Sequence, residues 1–198
     1  MSTKRLFDIV FSAIGLLLLA PIFVIIAIII KLDSPGPVFF IQGRVGKNNS
    51  DFNIYKFRTM RIQSESKGLL TLGNHDARIT KIGYFLRRYK IDEFPQLINI
   101  LKGDMSFVGP RPELRYYVNF YTEDDMTIFS VRPGITGLAS LKYRNEVELL
   151  KAATDPESFY IKTIIPDKLK YNKEYIKRRN FFFDLKLIGS TIIKVITK

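Results

Sequence analysis

Hydrophobic and polar positions divide the chain into one uninterrupted apolar block and a longer tract of mixed periodicity. From Ile9 to Ile30 there are 22 consecutive residues without a charge, bracketed by Asp8 and Lys31. Wound as one helix they would reach roughly 33 Å, enough to cross a hydrocarbon core of about 30 Å. A block this long and apolar on every face belongs in lipid rather than in a small globular core. It also outruns the apolar region of a cleaved signal peptide. Pro21 sits inside "LLLLAPIFVIIAIII", residues 16–30, where it removes a backbone hydrogen bond and clashes with the preceding turn. The halves Ile9–Ala20 and Ile22–Ile30 would each reach about 14–18 Å, roughly one leaflet. Two arrangements fit: a kinked helix that spans the bilayer, or a re-entrant helix-break-helix that returns to the side it left. Lys4 and Arg5 precede the block, and Lys31, Arg44 and Lys47 follow it. Positive flanks favour the cytoplasmic face, so charge at both ends favours the re-entrant form.

Beyond the block the period changes repeatedly. "KLDSPGPVFF" cannot continue a helix through Pro35, Gly36 and Pro37. Two strands are expected at Val38–Gln42 and Phe52–Phe57 around a Gly/Asn-rich loop, as a β-hairpin or small sheet. Ile79, Ile82, Phe85, Leu86 and Tyr89 recur at helical spacing. Leu97, Ile98 and Leu101 predict a shorter helix closed by Gly103, and Leu114, Tyr117, Val118 and Tyr121 another. Pro166–Arg179 is basic and polar. In the final stretch Phe181, Phe182, Leu185, Ile188, Ile192 and Val195 interleave with Lys186, Lys194 and Lys198. That pattern suits a helix lying in the membrane interface, or a last helix packed on the core; the preceding "YIKRRN" favours the interface. There is no internal repeat and no long linker. The expected fold class is α+β, mostly helical, with a small β-hairpin or sheet and interfacial amphipathic helices. A re-entrant membrane anchor over 1–32 would precede one compact domain over 33–198.

Composition narrows the partners. There are 31 Lys+Arg against 19 Asp+Glu, a net charge of +12, which favours nucleic acid, a lipid surface or a phosphorylated substrate. Without cysteine, disulfides, thiolate zinc sites and Cys nucleophiles are excluded. The single histidine, His75 in "GNHDAR", cannot build a multi-His metal site and reads as a surface or hydrogen-bonding residue. No G-x-G-x-x-G follows a strand and no G-x-x-x-x-G-K-[ST] occurs, so neither a Rossmann nor a P-loop reading has support. "TEDDM", residues 122–126, reads as an exposed loop rather than a metal site.

The chemistry concentrates in "RITKIGYFLRRYKIDEFPQLINILKGDMSFVGPRPE", residues 78–113. Asp92 and Glu93 directly precede a predicted helix, with Phe94-Pro95 at its first turn. Both carboxylates would lie at that helix's positive end. Alone they would be ordinary helix-start residues. Arg78, Arg87, Arg88, Lys90 and Arg111 around them change the reading, because carboxylates among arginines can hold a divalent cation and a phosphate together. Neighbouring residues point in different directions, so one could attack while the other orients or ligates. "GPRPE" fixes Arg111 between two prolines, suited to a bidentate grip on phosphate oxygens. "RPGITG", residues 132–137, places Pro133-Gly134 as a tight turn whose N–H groups, beside Arg132, could cradle another anion.

"KLDSPGPVFF", "YKFRTM", "RIT…LRR…DEFPQLINILKGDMSFVGPRP" and "RPGITGLA" succeed one another in this order. Together they resemble the small monotopic phosphoglycosyl transferases of the bacterial sugar transferase family. The resemblance runs from about residue 3 to 195, strongest over 78–113 and weaker after Leu141. It implies a cytoplasm-facing enzyme of the bacterial inner membrane that moves a phospho-sugar from a UDP-sugar donor to undecaprenyl phosphate, a polyprenyl phosphate acceptor, with Mg²⁺ and release of UMP. The dyad falls on Asp92 and Glu93. Asp92 would attack the β-phosphate, form a phosphoaspartyl-sugar intermediate and serve as metal ligand. Lys56, Arg58, Arg78, Arg87, Arg111 and Arg132 carry over as phosphate or nucleotide contacts. Membrane lipids are expected partners, nucleic acid is not, and a homodimer stays open.

Two segments depart from the family pattern. The membrane helix carries Ala20-Pro21 where many members have Ser-Pro, so the bend must rest on Pro21 and helix packing. After "RPGITGLA" the chain reads "SLKYRNEVE" in place of a shorter Asn-Gly-Arg type sequence. If this segment touches the sugar, donor preference cannot be transferred. Two other functions remain open: a membrane-tethered basic binding module for anionic lipid or nucleic acid, in which Asp92 is dispensable, and direct transfer between the two substrates without a covalent intermediate.

Overall fold

Helix α1 (Thr3–Asp33) runs without interruption, Pro21 included. The computed structural model describes residues 2–62, 70 and 76–197, and His75 lies outside them. The expected break at Pro21 is therefore not a gap between two helices. The chain absorbs the missing hydrogen bond within one helix, and both halves of that helix are pinned to the rest of the protein. Near its start, Arg5 donates from Nη1 and Nη2 to the carbonyls of Ile100 and Leu101, at 2.6 and 2.9 Å. Asp8 Oδ1 accepts from Ser106 Oγ and the Phe107 N–H, both at 3.1 Å. Leu16 and Leu19 pack against Ile54, Leu97, Ile100 and Met105. Past the proline, Ile26 and Ile30 pack with Phe57 and Leu86. Burying each large aliphatic or aromatic side chain of such a cluster contributes about 1.5–3 kcal/mol. The outward face, including Leu17, Leu18, Val24, Ile25 and Ile28, stays exposed and apolar. Among the described residues α1 is the one helix long and apolar enough to cross a membrane.

The helix ends on Arg58, whose guanidinium is nearly buried. Its Nη1 donates to the Pro35 carbonyl, and its Nη2 to the Ser34 carbonyl at 2.7 Å and Ser34 Oγ at 3.0 Å. The last carbonyls of a helix lack partners within it, and a cation there also suits the helix dipole.

After that exit come β1 (Phe39–Val45) and β2 (Asp51–Phe57), an antiparallel hairpin in which Phe40 faces Lys56 and Val45 faces Asp51. Both expected strands are present, the first extending to Val45. Beyond β2 the backbone pairs with the lead-in to α2 (Lys81–Arg88): Arg61 N–H donates to Arg78 O, and Thr80 N–H to Thr59 O. Thr80 caps α2 by accepting from the Gly83 N–H at 3.0 Å. A Cβ at Gly83 would meet Thr59 O at 2.1 Å, so this helix lies directly on the backbone after β2. A 3-10 turn (Ile91–Glu93) leads to α3 (Gln96–Lys102), closed as expected by Gly103 in the left-handed conformation. Asn99, fully buried, ties α3 to β2: its amide donates to Asn53 O and its carbonyl accepts from the Tyr55 N–H.

Here the expected turn at "RPGITG" gives way to a strand. β4 (Gly134–Thr136) runs parallel to β3 (Ser106–Val108), in register Ser106–Gly134 and Val108–Thr136. The N–H groups of Gly134 and Gly109 donate to Pro110 O and Thr136 O, both at 2.9 Å. They hold the neighbouring loop instead of forming an anion cradle. A Cβ at Gly134 would come within 2.1 Å of Gly109 N, so only glycine permits this approach.

The remaining chain is helical. The helix expected around Leu114–Tyr121 is one turn, α4 (Arg115–Val118). Short α5 (Leu138–Lys142), α6 (Glu146–Ala152) and α7 (Pro156–Phe159) precede α8 (Ile165–Arg178) and α9 (Phe181–Ile196). The largest buried cluster joins Val45, Tyr117, Phe129, Leu150, Tyr160, Ile164 and Leu169. α9 packs on the core through Leu187, buried with Val108 and Tyr175, while Phe182, Ile192 and Ile193 are exposed. Lys4 locks its start to α1, donating to Asp184 Oδ2 at 2.6 Å and Val108 O at 2.8 Å.

Replacing Arg58 by methionine should leave several buried carbonyls unpaired and lower unfolding stability by about 3 kcal/mol. Denaturant unfolding in detergent micelles measures this. Arg88→Met, at an exposed position on α2, should move it by less than about 0.5 kcal/mol.

Candidate active site

The dyad sits on the 3-10 turn rather than on the helix after it, and the entry to that turn is strained. Lys90 takes φ 59° and ψ 18°, a left-handed conformation that costs a non-glycine residue roughly 1–2 kcal/mol. This bend redirects the chain from α2 so that Asp92 and Glu93 both turn inward, each 8% exposed.

Glu93 is fully engaged. Arg111 grips it from Nη1 to Oε2 at 3.2 Å and from Nη2 to Oε1 at 2.5 Å. Lys56, on β2, donates to Oε1 at 3.1 Å. Burial alone would raise the Glu93 pKa, but Arg111 and Lys56 overcome it and hold the carboxyl well below the usual glutamate range. Glu93 in turn pushes the Arg111 pKa up. Lys56 is shifted down by burial, against the pull of Glu93.

Asp92 has the opposite environment. Its Oδ1 is buried without a hydrogen-bond partner. Burial first, and the adjacent Glu93 charge second, raise its pKa; Lys56, Lys90 and Arg87 act the other way. One carboxylate is thus locked as a structural anion, and the other keeps an unengaged oxygen in a cationic surround. Such an oxygen can attack an electrophile, ligate a metal, or exchange a proton.

The loop bearing Arg111 is held at both ends. Pro110 and Pro112 restrict its backbone. Gly134 N–H bonds Pro110 O, Arg44 Nη1 bonds Pro112 O at 3.2 Å, and Val45 N–H bonds Glu113 O at 2.9 Å. The "GPRP" and "RPGITG" segments therefore work as one unit, the second clamping the first.

Of the six cations expected at the site, Lys56 and Arg111 contact the dyad, and Arg87 contributes its charge to Asp92. Arg78 is gripped by Asp76, at 2.6–3.0 Å, and donates to Leu70 O, placing that ion pair beside Arg87. Arg58 and Arg132 go elsewhere. Arg58 caps the exit of α1, and Arg132 Nε donates to Gly103 O at 2.6 Å, at the C-terminal end of α3. An arginine's role depends on which carbonyl it reaches, and spacing along the chain does not reveal that.

Residues not expected from the sequence adjoin Arg111. Glu113, the last residue of "GPRPE", accepts from Tyr160 Oη at 2.5 Å. Lys168 on α8 donates to Tyr160 Oη at 3.2 Å and to Glu146 Oε2 at 2.9 Å. A narrow cleft of about 10 Å³ lies against this chain of contacts, lined by Arg111, Glu113, Tyr121, Lys168 and Asn172 together with apolar Ile165 and Leu169. No spacing rule joins positions so far apart.

A buried Asp-Glu pair beside a clamped Pro-Arg-Pro loop, behind an apolar first helix, defines a class, and sequence comparison agrees with it. The chain belongs to the bacterial sugar transferase family, whose model matches residues 1–198. It is 39% identical over 98% of its length to a UDP-N-acetylgalactosamine-undecaprenyl-phosphate N-acetylgalactosaminephosphotransferase of Aeromonas hydrophila, covering 44% of that protein. It is 37% identical over 96% of its length to the UDP-glucose:undecaprenyl-phosphate glucose-1-phosphate transferase of Escherichia coli K12, covering 39%. It thus spans less than half of these two relatives. It covers 96% of the exopolysaccharide production protein PSS of Rhizobium leguminosarum, at 38% identity.

In metal-free buffer the Asp92 carboxyl should titrate above the ordinary aspartate value of 3.8, as followed by carboxyl-region NMR. Arg87→Gln removes a charge that favours the ionised form, so the midpoint should rise further. A midpoint unchanged or lowered would mean that Arg87 does not act on Asp92.

Proposed function

We propose that this chain transfers a phospho-sugar from a UDP-sugar to undecaprenyl phosphate in two displacements on Asp92. The observation that carries this reading is the asymmetry of the dyad: Glu93 is saturated by Arg111 and Lys56, while Asp92 keeps a buried, unpartnered oxygen. In the first displacement an Asp92 oxygen attacks the β-phosphorus. The bond to the bridging oxygen breaks, and UMP leaves with its electron pair. In the second, an oxygen of the polyprenyl phosphate attacks the same phosphorus and releases the carboxylate. Arg111, Arg87 and Lys90 lower the repulsion between an anionic nucleophile and an anionic diphosphate, which otherwise makes a carboxylate a poor attacker. The relatives' names, which join a UDP-sugar to undecaprenyl phosphate, support the choice of substrates.

Asp92, together with substrate phosphate oxygens, would also hold Mg²⁺, an ion that favours one or two carboxylates plus phosphates over an all-protein cage. The unpartnered, buried Oδ1 of Asp92 is the oxygen that such an ion would take. When bound, the ion supplies charge neutralisation at the diphosphate.

The same reading places the protein on the cytoplasmic face of the inner membrane, with α1 as its anchor and re-entrant. Arg5 and Asp8 at the start of α1, and Ser34 just past its end, all bond to one body. A spanning helix would carry its first turn away from that body. The exposed apolar face of α9 would rest in the same leaflet's interface.

Incubation with UDP-sugars labelled on the β-phosphate, without lipid, should label the protein stoichiometrically and release UMP. Both signals should vanish in Asp92→Asn. Full transfer by Asp92→Asn would defeat the assignment, and transfer without labelling would favour direct attack between the substrates. Salt-sensitive binding to any polyanion, with Asp92 dispensable, would instead indicate a basic binding module.

A cysteine introduced at Ser2 should react with an impermeant maleimide only after the cytoplasmic side is opened. Reaction from the periplasm in intact spheroplasts would show that α1 spans the bilayer.

A further inference from the structure

Gln96 opens α3 four residues after Asp92, and it is almost wholly removed from solvent, 1% exposed. Among the described residues its Nε2 is buried without a hydrogen-bond partner, and so, one turn earlier, is Oδ1 of Asp92. Buried amide donors are nearly always satisfied, because one left unpaired forfeits the hydrogen bonds it made in water. Asn99, three residues further along α3 and also fully buried, shows how this fold treats a buried amide that serves structure alone. Its nitrogen donates to Asn53 O at 2.7 Å, and its oxygen accepts from the Tyr55 N–H at 3.1 Å.

The backbone fixes where Gln96 lies. Phe94 and Pro95 are both right-handed helical, at φ −57° and −60°. The N–H groups of Phe94, Leu97 and Ile98 donate to the carbonyls of Ile91, Phe94 and Pro95. The 3-10 turn thus continues into α3 as one helical stretch, in which residues three or four apart share a side. Glu93, Gln96 and Asn99 follow one another at that spacing. Glu93 accepts from Lys56 and Asn99 from the Tyr55 N–H, neighbours on β2. This side therefore faces β2, and Gln96 lies between the two contacts. Asp92, four residues before Gln96, flanks it on the same side.

We infer that Gln96 is a catalytic residue, whose Nε2 donates to a non-bridging oxygen of the phosphoryl group that Asp92 receives and passes on. The inference rests on the proposed transferase reading. A phosphorus bonded to Asp92 holds its non-bridging oxygens beside that carboxylate, within reach of the next polar side chain on the same side. The amide forms a hydrogen bond and gives up no proton. Asp92 supplies the electron pair of the first new bond, and UMP leaves with that of the old one. In the second displacement an oxygen of the lipid phosphate bonds to phosphorus, and Asp92 leaves with its pair. The non-bridging oxygens carry charge in both transition states, and a donor already in place stabilises it without reorganisation. The neighbouring cations suit this task less well. Arg111 and Lys56 are committed to Glu93, and Arg78 to Asp76. A further cation at position 96 would pair with Asp92 and quench the nucleophile, whereas the neutral amide leaves Asp92 Oδ1 unpartnered.

The test uses the full chain in nanodiscs. Labelling from a UDP-sugar labelled on the β-phosphate reads the first displacement, and discharge of the label to added undecaprenyl phosphate reads the second. Gln96→Met keeps the bulk of the side chain and removes the donor, so both steps should slow by about a hundredfold. The denaturant midpoint should stay or rise, because an unpaired buried donor has gone. UDP-sugars with sulfur at one or the other non-bridging β-oxygen identify the contact. The ratio of rates between these two diastereomers should be larger in the wild type than in Gln96→Met, by about tenfold. Both steps within about twofold of wild type would overturn the inference. So would slowing of the first step alone, since Gln96 would then hold the departing UMP. An equal loss with both diastereomers would also overturn it, as the mark of a residue that only positions Asp92. If Gln96→Met loses cooperative unfolding, Gln96→Glu, of the same shape but with an acceptor in place of the donor, must show the loss in both steps or the inference fails. Failure of the transferase reading has its own signature: wild-type protein that is neither labelled nor releases UMP, which removes the inference with it.

Discussion

Asp92 and Glu93 are neighbours in one buried turn, and two carboxylates this close in a region poor in water resist being ionised together. Arg111 and Lys56 resolve the conflict by binding Glu93 alone. Everything near the site depends on that choice. β2 must present Lys56, and the loop after β3 must present Arg111 at a fixed height. The bend at Lys90 must point both acids inward. Removing one partner from such a buried pair leaves an uncompensated charge, typically costing about 3–5 kcal/mol. The pairing also has a defined pH sense. The Glu93 pKa in the folded protein lies below its ordinary 4.5. Its stabilisation is therefore complete above that value and fades as the pH falls through the lower folded value. Asp92 has the opposite sign: its raised pKa means that keeping it ionised costs folded-state stability at neutral pH.

The arginines divide between two tasks that composition cannot separate. Arg5 and Arg132 converge on the C-terminal end of α3, and Arg58 on that of α1, where carbonyls lack helical partners. These cations stabilise helix ends and fix the first helix to the body. Lys56, Arg87, Lys90 and Arg111 act on the dyad. A net charge of +12 thus overstates how much positive charge is free for an anionic ligand.

Local patterns were legible where one chain segment carries its own signal. The apolar block, the β1–β2 hairpin, the Gly103 cap and the acidic pair with its flanking cations can all be read from a few adjacent residues. Features made by distant segments could not be read in the same way. β3 and β4 are three residues each and pair in parallel across a long connection, so neither has a period to detect. "RPGITG" has turn chemistry, yet the close approach of Gly109 and Gly134 turns it into a strand. Arg58 and Arg132 looked like Arg111, because a guanidinium that caps a helix and one that grips a carboxylate share the same sequence neighbourhood. Tyr160 and Lys168 join the site only because Tyr160, just before α8, reaches Glu113 and Lys168 reaches Tyr160.

Under the proposed reaction, a water-soluble donor and a lipid acceptor must reach one carboxylate in turn, and the two sets of cations border different surroundings. Arg111 is held against Glu93 on the clamped loop. Arg87 belongs to α2, which packs Leu86 against the lipid-facing helix through Ile26 and Ile30 and exposes Phe85 beside Tyr89. A diphosphate would meet Arg111 on that loop. A lipid phosphate would meet Arg87 from the side where α1 and the aromatic residues of α2 provide an apolar path. A covalent intermediate on Asp92 allows this arrangement, because the two substrates never need to occupy the site together. The clamped Arg111 loop and the buried Glu93 then serve one purpose: to keep Asp92 in the same place for both displacements.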